Sequence, residues 1–293
     1  MKKVIISLCL CLGLTTLAVA QDTTEETANP RLTKRGISYL PVAGDIAIGV
    51  DAAPFLQYLG NAFNSSFNNA PVFNGVDNTI YLKYFLQDDR ALRAKFKFNV
   101  YQDKFKQTVA NNHAIYVDPT NVDATTIDTR SVFTQDYTLS LGYELRRGHG
   151  RVQGFYGAEF ILGYSGGNSV YEYGNEITSA NQVPTFHNWG VTGLPTNTIR
   201  PTEYKNGNAI SAGLGAFVGV EYFVAPQLSI GGELGLAYSY YNKSQDVITG
   251  EYFNNATGNV VEAQRRFKNA NTTNFSTGLY TSTSGSIFLL FHF

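Results

Sequence analysis

Leu92 to Tyr101 reads LRAKFKFNVY, and its alternation decides the fold. One face carries Leu92, Ala94, Phe96, Phe98 and Val100, and the other carries Arg93, Lys95, Lys97, Asn99 and Tyr101. Successive side chains of a strand point to opposite faces, whereas helical spacing would mix these two sets. Just upstream, Ile80, Leu82, Tyr84 and Leu86 alternate with Tyr81, Lys83, Phe85 and Gln87. Only Asp88-Asp89-Arg90 stands between the two stretches, so they read as a tight hairpin.

The same period of two recurs outward along the chain. Residues 44–52 alternate around Ile46, Ile48 and Val50. Tyr137, Leu139, Leu141, Tyr143 and Leu145 alternate with Thr138, Ser140, Gly142, Glu144 and Arg146. Residues 153–164, 210–222 and 228–241 follow suit, and 284–293 ends the series with Ile287, Leu289, Phe291 and Phe293 on one face. Eight strands result. Short connections at 88–90, 147–150 and 224–227 alternate with long ones at roughly 53–77, 103–132, 165–209 and 242–273. This is the pattern of an all-β, transmembrane up-and-down antiparallel barrel with four long extracellular loops. A β-sandwich also alternates, but its solvent face should be rich in charge. Here the polar face is rich in Gly, Ser and Glu instead. Ten strands are expected only if a long loop hides a further hairpin.

Composition agrees. Charged residues make up 15% of the 293, against about 25% in an average soluble domain, and aromatics make up 14%. The formal net charge of −1 supplies no basic face for nucleic acid. Lys2 and Lys3 precede an apolar stretch from Val4 to Leu14, and Ala18-Val19-Ala20 is a small-x-small cleavage site. The expected organisation is therefore a cleaved signal peptide over 1–20, a periplasmic segment over 21–41 and a barrel over 42–293. Cys9 and Cys11 both lie in the signal, so the mature chain has no thiol chemistry. Removing Lys2 and Lys3 from the 22 basic residues leaves 20 against 23 acidic ones, a net of −3. Export followed by an alternating chain implies the bacterial outer membrane, with its lipid and lipopolysaccharide as surroundings and the barrel-assembly machinery as a partner in biogenesis.

In hydrocarbon every backbone polar group must be paired, so the apolar faces should look outward and the polar faces inward. Outward Tyr84, Tyr143, Tyr222, Phe291 and Phe293 fall near turn-side ends, and Tyr137, Tyr164, Tyr238 and Tyr240 near loop-side ends, as two girdles. Inward fall Asp45, Lys83, Arg93, Lys95, Lys97, Glu144, Glu159, Glu221 and Glu233. An eight-stranded barrel is filled by its own side chains, and buried charges are costly unless paired. Glycines at 142, 157, 163, 213, 215, 219, 231 and 235 are expected to make room for the long charged groups. A salt-bridged plug is the favoured expectation, and a solute path the alternative.

The chain ends on Phe293 behind Phe291, Leu289 and Ile287 at alternate positions. This resembles the terminal β-signal by which bacterial outer-membrane barrels are recognised during assembly. GDIAIGVDAAPFLQYLGN (44–61) and NTIYLKYFLQDDRALRAKF (78–96) resemble the opening segments of a Bacteroidota outer-membrane β-barrel family described as porin-like. The overall layout is also similar to the small OmpA/OmpX-type barrels. The resemblance implies location and fold, and brings no ligand, cofactor or catalytic residue with it.

Little else carries chemistry. His113, His149, His187 and His292 form no H-E-x-x-H or zinc pattern, and no G-x-S-x-G or P-loop occurs. His113 and His187 sit in long loops, with Asp118 and Asp123 nearby in sequence, which leaves a rim-site enzyme as the remote alternative. Pro54 to Gly60 reads as one or two helical turns, either an interfacial foot or a packed loop. The third loop is rich in Asn, Gly and Tyr and holds Trp189, a composition suited to polar recognition and equally to any ordered surface loop. No metal, cofactor or catalytic group is expected. The expected function is a non-enzymatic outer-membrane barrel serving envelope integrity or surface interaction through its loops, with a small-solute porin as the alternative.

One prediction follows from the terminal strand alone. Deleting Phe293 should lower the amount of folded barrel recovered from cell envelopes, measured as the heat-modifiable band on an unboiled gel. Unchanged recovery would contradict an assembly role for this residue.

Overall fold

The hairpin around Asp88-Asp89 forms with Lys83 opposite Arg93 and Leu82 opposite Ala94, so both faces keep their character across the pair. The computed structural model describes residues 38–52, 78–192, 194, 199–267, 272–278 and 286–293. Eleven strands are present among them: β1 (Ile46–Asp51), β2 (Asn78–Gln87), β3 (Arg90–Ala110), β4 (Thr125–His149), β5 (Val152–Glu172), β6 (Arg200–Ala225), β7 (Leu228–Lys243), β8 (Asp246–Asn254), β9 (Asn259–Phe267), β10 (Thr272–Gly278) and β11 (Ser286–His292). One short helix, α1 (Asn112–Val117), joins β3 to β4, capped by the Asn111 side chain on the Ala114 N–H.

Eight strands close a ring. β1 to β7 pair in sequence order, and β11 pairs with β7 on one side and β1 on the other. Closure puts Ala47 opposite His292 and Val50 opposite Leu289. Phe293 extends it by exchanging two backbone hydrogen bonds with Ile46, of 2.8 and 3.0 Å. Every pairing is antiparallel, so the fold is the expected up-and-down barrel. The short-turn end uses Asp88-Asp89, Gly150-Arg151 and Pro226-Gln227. Gly150 (φ 59°) and Gln227 (φ 68°) supply the left-handed backbone that tight turns need.

Two long connections differ from expectation. The segments 103–132 and 165–209 begin and end as strand, since β3 runs on to Ala110, β4 starts at Thr125, β5 runs on to Glu172 and β6 starts at Arg200. The β3–β4 ladder runs unbroken from Arg90 opposite Leu145 to Ala110 opposite Thr125. At about 3.4 Å per residue, the 25 residues of β4 span roughly 85 Å, far more than the barrel needs. Apolar alternation stops near Val100 because both faces of the extension are largely open to solvent, while backbone pairing continues. The connection 242–273 does hide a hairpin, β8–β9, but it does not widen the ring. β8 takes over beside β6 where β7 ends, with Tyr204 opposite Ile248. The eighth stave is also longer than the stretch 284–293, since β10 pairs with the upper part of β7 and β11 with the lower. The signal segment 1–20, most of 21–41, the connection 53–77 and the helical turns read at 54–60 lie outside the described residues.

The barrel is inside-out relative to a soluble one. Its small interior cluster consists of Ala47, Tyr81, Phe85, Ala91, Phe155, Phe217, Phe288 and Leu290. Its outer face exposes Ile46, Ile48, Val50, Ile80, Leu82, Leu92, Leu141, Leu214, Val218, Leu234 and Leu236. Across that face Phe96, Tyr137 and Tyr164 stack in a row over three strands, with centroids 6.4 Å apart at each step.

Candidate functional site

The interior is filled by a charge network. Inward positions alternate large with small along the ladder: Arg93 lies opposite Gly142, Gly142 opposite Glu159, and Glu159 opposite Gly215. Likewise Glu144 lies opposite Gly157, Glu221 opposite Gly231, and Glu233 opposite Gly219. Each of these charged groups therefore lies opposite a residue without a side chain.

The expected role of those glycines is only partly met. A Cβ on Gly142 would meet the Glu159 and Arg93 side chains at 2.9 and 3.1 Å, as anticipated. A Cβ on Gly157, Gly219 or Gly231 would instead strike the rings of Phe217, Phe155 and Phe288 respectively. At these three positions the space belongs to aromatic rings that share the lumen with the charges, and at Gly163 and Gly213 a Cβ would meet Ser211 and Ser239.

Four cations and four carboxylates make the network, and their formal charges cancel. Lys83 Nζ lies 3.0 Å from Glu144 and 3.2 Å from Glu221. Arg146 Nη1 lies 2.9 Å from each of the same two carboxylates. Arg93 reaches Glu233 at 2.6 Å and both Glu144 and Glu159 at 3.6 Å. Lys95 lies 2.9 Å from Glu159 and 3.1 Å from Glu233. All eight residues are at most 7% exposed. Lys83–Glu221 joins β2 to β6, and Arg93–Glu233 and Lys95–Glu233 join β3 to β7, so these pairs bridge the barrel, while Arg146–Glu144 within β4 and Arg93–Glu144 between β3 and β4 follow its wall.

Aromatic faces complete the shell around the cations. The Arg93 guanidinium lies 3.8 Å from the Phe217 ring centroid, and Lys83 Nζ lies 4.5 Å from that of Phe155. Arg146 lies 5.2 Å from the Phe85 centroid. Cation–π attraction adds most where water is excluded, as here. Toward the short turns, His292 Nε2 lies 3.2 Å from Glu221, and the Ser229 hydroxyl donates to the same carboxylate at 2.6 Å. The His292 ring is held between Phe85 and Phe223, at 5.7 and 5.1 Å.

Of the residues expected inward, Lys83, Arg93, Lys95, Glu144, Glu159, Glu221 and Glu233 meet in this network. Asp45 does not. It stands just before β1, its carbonyl accepting from the Phe85 N–H at 2.9 Å, and its carboxylate turns to the Val42 N–H at 2.9 Å. The buried inward carboxylate of β1 is Asp51. Lys97 is half-buried, above the buried layer, because the barrel opens beyond Lys95. Arg146, His292 and Ser229 were not expected. The signal for Arg146 was available, since it shares the phase of Glu144 two residues away. His292 likewise alternates with Phe291 and Phe293. Those two, with Ile287 and Leu289, lie on the outer face of the last strand, Phe293 being 70% exposed.

The loop histidines fall elsewhere. His113 is exposed on α1, as are Asp118 and Asp123 just after it. Hydrogen bonds from Thr120 hold the Asp118 carboxyl below its ordinary range. His187 packs edge-on against Trp189, with centroids 4.6 Å apart. Among the described residues, no group of three or more His, Cys, Asp or Glu side chains is placed to hold a metal ion. No protein-family model matches the chain, and no curated protein matches it.

A buried charge that loses its partner keeps its desolvation cost, about 3–5 kcal/mol for a buried pair. Glu221→Ala and Glu233→Ala should each destabilise the folded barrel by about that much, read as a lower urea midpoint in detergent. Glu176→Ala, on an exposed site, should leave the midpoint unchanged. Equal midpoints for all three would mean that the network contributes nothing.

Proposed function

We propose that this chain is an integral outer-membrane β-barrel protein of the Bacteroidota porin-like type, closed to solutes and without catalytic activity. It serves envelope integrity or surface interaction through the strand extensions beyond the barrel. One observation carries the reading: the apolar side chains are on the outside and the charges inside. Leu214 is 68% exposed, Tyr238 55% and Leu236 53%, while Glu144 and Glu221 are 0% exposed. A water-soluble protein rarely leaves an apolar surface of this extent uncovered, because transfer from water gains about 25 cal/mol per Å². A hydrocarbon surrounding removes that penalty, and each of the eight strands β1 to β7 and β11 is paired on both sides around the ring, as lipid requires.

Further support comes from the stacked row Phe96–Tyr137–Tyr164, which suits an interfacial girdle. The export signal read in the first twenty residues points the same way. The cross-lumen ion pairs favour a plug over the porin alternative, since a solute would have to part Arg93 from Glu233. His113 and His187 lie apart from the lumen network, and the Trp189 contact gives His187 a packing role.

The test is fractionation. The protein should be recovered with outer membranes and extracted only by detergent, and its unboiled form should migrate differently from its boiled form. Recovery as a soluble periplasmic protein would overturn the reading.

A further inference from the structure

A second site lies on the wall beyond the barrel. Arg130 on β4 lies opposite Tyr171 on β5, and Ser169 lies opposite Tyr204 on β6. Arg130 and Tyr171 are an even number of residues from the lumen-facing Glu144 and Glu159, so they share the inner face of the wall. The segment after β5 folds back over this face. Buried Asp128 fastens it at two points, accepting from the Gly174 N–H at 3.0 Å and the His187 N–H at 2.7 Å. The Asn175 amide donates to the Ala110 and Thr185 carbonyls, at 2.8 Å each. Thus anchored, the chain brings Trp189 to the Tyr171 ring, with centroids 6.4 Å apart.

Between wall and segment lies a cavity of about 480 Å³, lined chiefly by Arg130, Tyr171, Trp189, Tyr204, Ile248 and Phe267. That volume is in the range of small-molecule sites, about 300–1,000 Å³. Two donors in the lining are buried without a hydrogen-bond partner among the described residues: Nε of Arg130 and Nε1 of Trp189. Native structures rarely leave such groups unpaired. Arg130 is also without a counter-charge among the described residues. Its guanidinium lies between the Phe105 and Tyr171 rings, 5.9 Å from each centroid. The other charge at the cavity, Asp246, is already matched by Lys243 at 2.8 Å and the Gly207 N–H at 2.7 Å. Burial pushes the Tyr171 and Tyr204 hydroxyls up, so both remain protonated at neutral pH.

We propose that this cavity binds a small organic acid carried on a ring, its carboxylate on the Arg130 guanidinium and the Trp189 indole N–H and its ring against Tyr171. A guanidinium matches a carboxylate in shape and charge, and the ring would cover aromatic walls that an inorganic anion leaves bare. Two kinds of compound carry this chemistry, a uronic sugar acid and an aromatic acid. The inference needs only the folded wall, so it stands apart from the membrane setting proposed above.

Trp189 is the only Trp of the chain, so emission excited at 295 nm reads this cavity directly. The detergent-folded full chain is titrated with glucuronate and with benzoate, and in parallel with their neutral counterparts glucose and benzyl alcohol. A saturable change with at least one acid is expected, with its neutral counterpart at least tenfold weaker. A response to glucuronate identifies sugar acids as the ligand class, and a response to benzoate identifies aromatic acids. Arg130→Gln should weaken the acid at least about tenfold, as loss of a buried charged partner does. Silence with both acids overturns the proposal, as does equal binding of the neutral compounds or undiminished binding by a folded Arg130→Gln protein. If that variant fails to fold, the comparison of acid with neutral compound on the native chain decides.

Discussion

Arg93 on β3 and Glu233 on β7 meet at 2.6 Å across the middle of the barrel, and the interior is arranged around that contact. Neither charge can be buried alone, because desolvation costs each several kcal/mol. The pair therefore recruits neighbours: Glu144 and Glu159 on the Arg93 side, Lys95 on the Glu233 side. Lys83, Arg146 and Glu221 extend the chain of contacts until the charges cancel. Of the glycines opposite these groups, Gly142 leaves room for Arg93 and Glu159, while Gly157, Gly219 and Gly231 leave room for the rings of Phe217, Phe155 and Phe288. Aromatic rings fill what remains and present their faces to the cations.

The outer face is the complement of this arrangement. An interior occupied by charge leaves the apolar residues of each strand nowhere to go but out. The alternation that buries Lys83, Arg93 and Lys95 therefore exposes Leu82, Leu92 and Phe96. In water that distribution would be self-defeating. In the hydrocarbon setting proposed here it is the stable one, and the paired charges within cost the surface nothing. Closure of β1 on β11 serves both faces, removing the free edge outside and sealing the network inside.

The barrel was legible in the sequence because one physical rule, period two with an apolar phase, governs every stave. The stretch 92–101 alone gives the faces, and the alternation of short and long connections gives the topology. The rule lapses where both faces of a strand meet solvent. That holds for β3 beyond Val100; beyond Tyr164 the inner faces of β5 and β6 are covered again, but by a mixture such as Ser169, Tyr171 and Arg200 that carries no apolar phase, and so the extensions of β3 to β6 read as loops. The β8–β9 hairpin was invisible because the buried face of β8 mixes Asp246, Ile248 and Gly250 and carries no apolar phase. Within the lumen, Arg146 and His292 stand in the inward phase and were missed although period two carries that signal, whereas it says nothing of depth, which is what separates Lys95 from Lys97 and Asp51 from Asp45. The anchoring of Trp189 through Asp128 joins residues far apart in the chain, and no local pattern encodes it.

The central claim is that the lumen is closed by its own charges. Planar-bilayer recording of the purified wild-type protein tests it most directly. The account predicts no stable conductance, since ions would have to displace buried pairs such as Arg93–Glu233. A large, steady conductance from correctly folded protein would contradict it.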